Sequence, residues 1–313
     1  MSDHVGAALQ RCMSGATTPA FVLTHACWER CLRRVLRSQH TDAAARLWAT
    51  YIFTRYSEPQ RRYHTLAHLE EMLQQLARYQ AGAPAAHRLP LEGDTTRCLV
   101  VELALLFHDA VYDPRRGDNE ERSAEWFQTF WAECRQLSTS HAATITTTTT
   151  TTTAVTLGEA EGPPVPLLWD DTQGDTASTV EARVVEFILR TKHHMSVEPC
   201  HGQHEGGDSN IGSGSGVDES ATVPMPPSDL HLFLDLDLAI LGSEAARYQQ
   251  YAADVRWEYS WHSEADFRLG RAAFLRGFLQ HPRWYKTKFF YDALEVRARA
   301  NVQAEVAALE ARL

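Results

Sequence analysis

The sequence lacks the features that mark secreted, membrane-spanning and nucleic-acid-binding proteins. Its six cysteines include no CxxC pair, and scattered thiols of this kind indicate a reducing, cytoplasmic compartment rather than a disulfide framework. No apolar run has the length of a transmembrane helix, and no early segment has the flanks of a signal peptide. Lysine and arginine form no cluster, and the formal charge is −10. We therefore expect a cytoplasmic protein that binds neither nucleic acid nor membranes.

Alternating polar and apolar residues, the signature of β-strands, are also missing. Apolar residues instead recur at helical spacing along most of the chain, which predicts an all-α protein. A length of 313 residues with 44% hydrophobic residues is sufficient for a sizeable core. In the first helix, Cys27 and Cys31 lie one turn apart, and we interpret them as two small core residues on one face. The predicted helices cover approximately residues 21–36, 42–56, 63–79, 95–107, 119–134, 179–194, 230–241, 244–259, 263–279 and 290–312.

Two tracts interrupt the helical pattern. Residues 138–178 include an uninterrupted threonine run, Thr146–Thr153, and residues 199–228 are rich in glycine, serine, aspartate and proline. A homopolymer cannot specify a core face, so we predict disordered or loosely packed loops at both tracts. Residues 1–18 show little periodicity and are predicted to be loose. Residues 19–313 then form a single helical domain into which the two low-complexity loops are inserted.

The most informative stretch is Leu99–Asp113. It is apolar on nearly every side, which predicts a buried helix, yet it ends in the adjacent His108 and Asp109. A carboxylate in an apolar interior is costly unless it is paired or binds a metal ion. Partners for this pair are therefore expected elsewhere in the chain.

Two other segments supply such partners. His64 and His68 are four residues apart, which on a helix places both imidazoles on one face, where they can serve one metal site. Taken alone, the simpler interpretation is two surface histidines. Asp235 and Asp237 lie inside the apolar segment Phe233–Leu241. Two buried acids without cationic neighbours are expensive, so we expect a functional acid there, with surface-facing alternation as the alternative.

His193 and His194 follow Arg190 and Lys192 at the end of a predicted helix. Basic residues at a helix C-terminus complement the helix dipole, and this explanation is sufficient by itself. An additional metal ligand or a phosphate contact is the equally weighted alternative.

Taken in order, His68, His108–Asp109 and an aspartate of the later apolar segment form the pattern H…HD…D. This pattern resembles the HD superfamily of metal-dependent phosphohydrolases. The closest resemblance is to a group of predicted HD phosphohydrolases with a YHxxxHI-like helix, FHDxxYD followed by NEExS, a TxxH helix and FLDxDLxILG. The corresponding segments here are Tyr63–Leu69, Phe107–Asp113, Asn119–Ser123, Thr191–His194 and Phe233–Gly242. The resemblance extends from about Tyr51 to Asn301, interrupted by the two predicted loops.

The resemblance implies an HD-domain-like helical bundle that holds a divalent metal ion. Its implied ligands are His68, His108, Asp109 and Asp237, with Asp235 as the alternative for the last ligand. Imidazole and carboxylate ligands suit Mn, Fe, Co, Ni, Zn or Mg without any thiolate. Such an ion can activate a water molecule and neutralise phosphoryl oxygens during in-line attack.

The resemblance also implies further roles. His64 matches a histidine that protonates the leaving group in cyclic-nucleotide phosphodiesterases, so His64 and Asp109 are the expected catalytic residues. His194 is expected to support a second metal ion or to contact phosphate, and Lys192 and Arg62 are further candidates for phosphate contacts.

We therefore expect a metal-dependent phosphohydrolase that acts on a nucleotide or another small phosphate ester. One alternative is an HD-fold di-iron oxygenase of a small polar substrate, which needs additional histidine ligands such as His193, His194 or His64. The other alternative is a non-catalytic helical binding module, against which the intact set of candidate ligands argues.

Overall fold

The computed structural model describes residues 21–36, 41–90, 96–140, 168–170, 176–197 and 229–311. Within these ranges the chain is all-α and contains no strand, as the sequence predicts. No helix in the described ranges is long and apolar enough to cross a membrane. The helices are α1 (Val22–Val35), α2 (Thr41–Leu47), α3 (Leu66–Gly82), α4 (Thr96–Phe107), α5 (Asn119–Ser140), α6 (Thr176–Thr191), α7 (Asp229–Leu238), α8 (Ala245–Glu258), α9 (Glu264–Gln280) and α10 (Lys288–Glu310).

Helix α2 continues directly into a π-helical segment, Trp48–Phe53, and a last α-helical turn, Thr54–Tyr56. The side chain of Thr54 donates a hydrogen bond to the carbonyl oxygen of Ala49, five residues earlier, at 2.6 Å. The total extent agrees with the single helix predicted for residues 42–56. Helical periodicity does not distinguish a π-helical segment, so the local widening was not predicted.

Helix α4 is the centre of the fold. Every residue from Leu99 to Phe107 is buried, including Glu102. A helix that is apolar on all sides must be covered on all sides, and α4 contacts α1, α3, α5, α6 and α7. At its end, the Phe107 ring packs against Phe127 and Phe130 of α5, with ring centroids 5.3 and 4.9 Å apart. The buried helix expected from the sequence is therefore confirmed.

Helices α8 and α10 pack against a short 3-10 turn, Ala239–Gly242, that follows α7, and α9 packs against α10. Gly242 lies so close to α10 that an added Cβ would stand 2.6 Å from the Cβ of Leu294. Asn301 of α10 donates hydrogen bonds to the carbonyl oxygens of Leu241 and Ser243, at 2.9 Å each. A side chain at position 242 would therefore separate α10 from the turn.

Asp235 fastens α7 to the start of α10. Its carboxylate is fully buried and accepts hydrogen bonds from the backbone amides of Lys286 and Thr287, at 2.6 and 2.7 Å. The Thr287 hydroxyl donates a third, at 2.6 Å. Asp235, the alternative choice for the last metal ligand, is thus a structural residue, because both of its oxygens are occupied by these bonds.

The predicted loops fall mostly outside the described residues. Residues 1–18, the threonine run and residues 199–228 are not among them. At the edges of the 138–178 tract the prediction of a loose loop is wrong, since α5 extends to Ser140, a 3-10 turn covers Leu168–Asp170 and α6 begins at Thr176. The reason is packing on α1. The Ser138 hydroxyl and the Trp169 indole both donate hydrogen bonds to the carbonyl oxygen of Val35, at 2.7 and 2.8 Å.

We expect Asp235→Ala to lower the free energy of unfolding by about 2–4 kcal/mol. The substitution leaves the amides of Lys286 and Thr287 buried without an acceptor, and each such loss costs about 1–3 kcal/mol. Urea denaturation monitored by circular dichroism measures the change. The control is Asp292→Ala on α10, whose half-exposed carboxylate makes only an i,i+4 ion pair with Lys288. Equal losses in the two variants would contradict the anchoring role of Asp235.

Candidate metal centre

Three helices bring His68, His108 and Asp237 together. His68 lies in the first turn of α3, His108 directly follows α4, and Asp237 lies in the last turn of α7. Asp237 Oδ1 is 3.2 Å from His68 Nε2 and 3.6 Å from His108 Nε2, and the two Nε2 atoms are 3.3 Å apart. Both imidazoles are buried, with 2% and 1% of their surfaces exposed. These three residues form the centre of the candidate site.

Asp109 completes the group implied by the sequence pattern. Its Oδ2 atom is 3.1 Å from His108 Nε2 and 4.0 Å from His68 Nε2. About a fifth of its side chain remains exposed, whereas the imidazoles are enclosed. The structure therefore places the Asp109 carboxylate beside the group of His68, His108 and Asp237.

The donor atoms fit a divalent metal ion. Nδ1 of His108 donates a hydrogen bond to the carbonyl oxygen of Leu105 at 2.9 Å, so in the neutral ring Nε2 carries the lone pair. That lone pair faces His68 and Asp237. Nitrogen and oxygen ligands bound to one ion at about 2.0–2.2 Å lie roughly 3–3.5 Å from one another, which matches the separations here. The buried group His68, His108 and Asp237 can therefore hold a metal ion.

Electrostatics keep both carboxylates of this group ionised. Burial raises the pKa of Asp237, but hydrogen bonds with His108, His194 and His68 outweigh it and hold the pKa well below its usual range. Burial likewise opposes ionisation of Asp109, and the neighbouring charge of His108 lowers its pKa. The same contacts raise the pKa of His108 against the effect of burial. A metal ion binding there displaces the proton that the imidazole otherwise holds.

His194 also reaches this group. It begins the 3-10 turn His194–Ser196 after α6, and its Nε2 atom is 2.8 Å from Oδ2 of Asp237. Asp237 therefore contacts three imidazoles, two through Oδ1 and one through Oδ2. His194 is therefore placed where it could bind a second metal ion, the role expected from the sequence. The same position also allows His194 to orient the Asp237 carboxylate.

The two predicted phosphate-binding cations differ in placement. Lys192 lines the adjoining cavity, and its ammonium group donates to the carbonyl oxygen of Gly117 and to Glu121, at 2.6 and 2.5 Å. The Arg62 side chain is 62% exposed, with its Nε atom 3.9 Å from Asp254. Arg62 is not among the residues that line the cavity. The structure thus brings Lys192 to the site but does not bring Arg62.

His64 is close to the site but does not share a helical face with His68. Helix α3 begins at Leu66, and Thr65 is its N-cap, with its hydroxyl accepting from the amide of Ala67 at 3.3 Å. The predicted helix beginning near Tyr63 is therefore wrong by one turn. The cause is Glu258, which holds the preceding segment in a non-helical conformation.

Glu258, at the end of α8, is a functional candidate that the sequence did not reveal. Its Oε1 atom accepts hydrogen bonds from the backbone amides of Arg62, Tyr63 and His64, at 2.7, 2.8 and 3.1 Å. Its Oε2 atom is 2.7 Å from His64 Nδ1 and accepts the Tyr112 hydroxyl at 2.9 Å. The one available signal was a carboxylate flanked by Trp257 and Tyr259 in an aromatic segment.

The two members of the His64–Glu258 pair favour each other's charged form. Burial opposes both charges, but the imidazole lowers the pKa of Glu258 to about 2, and the carboxylate raises the pKa of His64. With Nδ1 bonded to Glu258, the other ring nitrogen of His64 lies on the opposite side of the ring. His64 lines the cavity, so this nitrogen is the one available to a ligand.

Arg61 is the second residue that the sequence analysis missed. Its guanidinium is fully buried and donates to the carbonyl oxygens of His64, Asp109 and Ala110, at 3.1, 2.7 and 3.0 Å. It therefore ties the His64 segment to the end of α4. The adjacent Arg61 and Arg62 look alike in sequence, and only the fold shows which of them points inward.

A cavity of about 860 Å³ opens from this group of residues. His64, Asp237 and His194 line one part of it. Helices α8 and α9 supply a mostly apolar wall that consists of Tyr251, Val255, Phe267, Phe274, Leu275 and Phe278. The site thus joins a polar, metal-binding end to a wall suited to an organic group.

We expect Arg61→Met to lower the free energy of unfolding by about 2–5 kcal/mol. The substitution removes charged donors from three buried carbonyl groups, and hydrogen bonds of this type contribute about 1.5–3 kcal/mol each. Chemical denaturation compares it with Arg62→Met, the exposed neighbour, where a change within about 0.5 kcal/mol is expected. A similar effect of both substitutions would rule out the bridging role of Arg61.

We expect the pKa of His64, measured by NMR titration, to lie above its ordinary value of about 6.5 and to fall in Glu258→Gln. The raised pKa means that the pairing stabilises the fold fully below the ordinary pKa, and that this contribution disappears as the pH rises through the raised pKa. The control is Glu264→Gln, an exposed carboxylate that pairs with Arg256 and Arg268. An unchanged His64 pKa in Glu258→Gln would contradict this electrostatic coupling.

Comparison with known proteins identifies no relative. The chain matches no protein-family model, no curated protein and no solved structure. The resemblance to the HD superfamily therefore rests on the sequence motifs, to which the site adds its own geometry.

Proposed function

We propose that this protein is a metal-dependent phosphohydrolase with an HD-domain-like helical bundle, acting in the cytoplasm. The observation that carries the proposal is the convergence of His68, His108 and Asp237, with Asp109 beside them, next to a cavity that Asp237 and His64 line. A divalent ion bound by this group would supply an activated water molecule and neutralise charge on a phosphoryl group.

The side chains around the ion provide the proton transfers that hydrolysis requires. Asp109 is the more exposed carboxylate, and it can accept a proton from the attacking water. Glu258 raises the pKa of His64 and so favours its imidazolium form, whose cavity-facing nitrogen can donate a proton to the departing ester oxygen. One bond from phosphorus to the water oxygen forms, one ester bond breaks, and the leaving alcohol takes the proton of His64.

The cavity favours a phosphate ester that carries a ring. Its volume of about 860 Å³ falls within the range of small-molecule sites. Aromatic side chains such as Tyr251 and Phe267 line it, and they can contact the face of a nucleobase or another aromatic group. Lys192 stands at the polar end, where the phosphate would lie. A nucleotide or another small phosphate ester is therefore the proposed substrate.

One observation favours a second candidate, a di-iron oxygenase. His194 gives Asp237 a third imidazole neighbour, at 2.8 Å, and a site with more histidines suits iron. The position of His64 favours hydrolysis, because an imidazole that pairs with Glu258 and lines the cavity can protonate a leaving group.

We expect phosphate release from a panel of nucleotides and aryl phosphates when the purified chain is supplied with Mn, Co, Ni or Mg. Asp109→Ala is expected to abolish this release. His64→Gln is expected to lower kcat by about 10²–10⁴-fold, because it removes a general acid. Asp292→Asn, exposed on α10, is the control and should leave the rate unchanged.

Other outcomes of the same experiment separate the alternatives. Oxygen uptake by the iron-loaded protein without phosphate release would favour the oxygenase. Tight metal binding that is lost in His108→Ala, without turnover of either kind, would favour a non-catalytic binding module. Absence of metal binding would contradict the site itself.

A further inference from the structure

A second group of candidate ligands lies in the core between α1 and α4. Cys27 and Cys31 are one turn apart on α1 and fully buried, and they face Glu102 of α4. One ligand atom from each of the three residues lies within 4.8 Å of the others. Cys98 lies one turn before Glu102 on α4, outside this group. None of these four residues lines the cavity described above.

The contacts of Glu102 leave one of its oxygens directed at the thiols. Oε1 accepts from Nε and Nη2 of Arg30, at 3.1 and 2.5 Å. Oε2 is 3.8 Å from the sulfur of Cys31, a long contact for a thiol donor. The Arg30 guanidinium therefore balances the buried carboxylate from one side only, and the other side presents an oxygen next to two sulfurs.

We propose that Cys27, Cys31 and Glu102 form a structural site for one thiophilic divalent ion, Zn²⁺ or a similar metal. Two thiolates and a carboxylate carry three negative charges, which the ion and Arg30 together neutralise. Thiolate sulfur with a carboxylate oxygen is a donor set that Zn²⁺ accepts in four-coordinate sites. Binding releases the thiol protons to solvent, and no oxidant or reductant is needed.

Burial argues for a structural ion rather than a catalytic one. A catalytic zinc site keeps a coordination position open to solvent or substrate, whereas Cys27, Cys31 and Glu102 are enclosed in the core. The ion would join α1 to α4, the helix that ends at His108. In the absence of an ion, burial raises the pKa of each of these thiols, so the group is then a set of neutral thiols around an ion pair. This inference does not rest on the proposed hydrolase activity.

The test uses the full chain with Cys12→Ser, Cys200→Ser and His108→Ala, which removes the two thiols outside the described residues and one ligand of the first metal site. Under reducing conditions and after chelation, we expect one equivalent of Cd²⁺ to produce the ultraviolet charge-transfer band of a thiolate complex. Adding Cys31→Ser is expected to weaken Cd²⁺ binding at least 100-fold. Cys134→Ser is the matched control, because Cys134 is also buried but lies on α5, outside the group.

A charge-transfer band that is absent, that persists in Cys31→Ser, or that falls equally in Cys134→Ser would overturn the proposal.

A second measurement needs no substitution, so it tests the site even if the variants fail to fold. Zinc-edge X-ray absorption of the wild-type chain loaded with two equivalents of Zn²⁺ is expected to show sulfur scatterers at about 2.3 Å. A spectrum with nitrogen and oxygen ligands only would also overturn it.

Discussion

A carboxylate inside an apolar core must be hydrogen-bonded, paired with a cation or bound to a metal ion, because it cannot keep its water. This protein carries several of them, and each has a different partner. Asp235 accepts backbone amides, Glu102 faces Arg30, and Glu258 combines three amides with His64. Asp237 is surrounded by imidazoles. The arrangement of the helices around α4 depends on these pairings, since each joins two parts of the chain that are distant in sequence.

The nature of the partner separates structural carboxylates from functional ones. Two backbone amides and the Thr287 hydroxyl donate hydrogen bonds to both oxygens of Asp235, so this carboxylate needs no further partner. The surroundings of Asp237 are different, because the Nε2 atoms of His68 and His108 face each other at 3.3 Å. Two lone pairs at that distance repel unless a proton or a metal ion lies between them. A proton shared between the two rings meets this requirement, and so does a metal ion, so the buried group of His68, His108 and Asp237 can hold one.

The sequence predicted where the helices lie along the chain better than which face of each helix meets its neighbours. The apolar stretch before His108 could be recognised as a buried helix, and the H…HD…D order pointed to residues that the fold does bring together. Asp235 and Asp237 lie on nearly opposite faces of a helix, about 200° apart at 100° per residue. The sequence alone did not show which of these faces meets the histidines. Without the positions of α3 and α10, no pattern shows which of the two faces the histidines. Arg61 and Glu258 were missed for a related reason, since most of their partners are backbone atoms, which carry no sequence signal.

The segment before α3 shows how the direction of a side chain determines its chemical role. On one helical face, His64 and His68 would share an environment and compete for the same role. Because Glu258 binds the amides of residues 62–64, the helix starts only after Thr65, and His64 turns toward the carboxylate. His68 lies in the buried group of candidate ligands, whereas His64 pairs with Glu258, which raises its pKa, and lines the cavity. Two identical side chains four residues apart thus have different surroundings, one suited to a metal ion and the other to proton transfer.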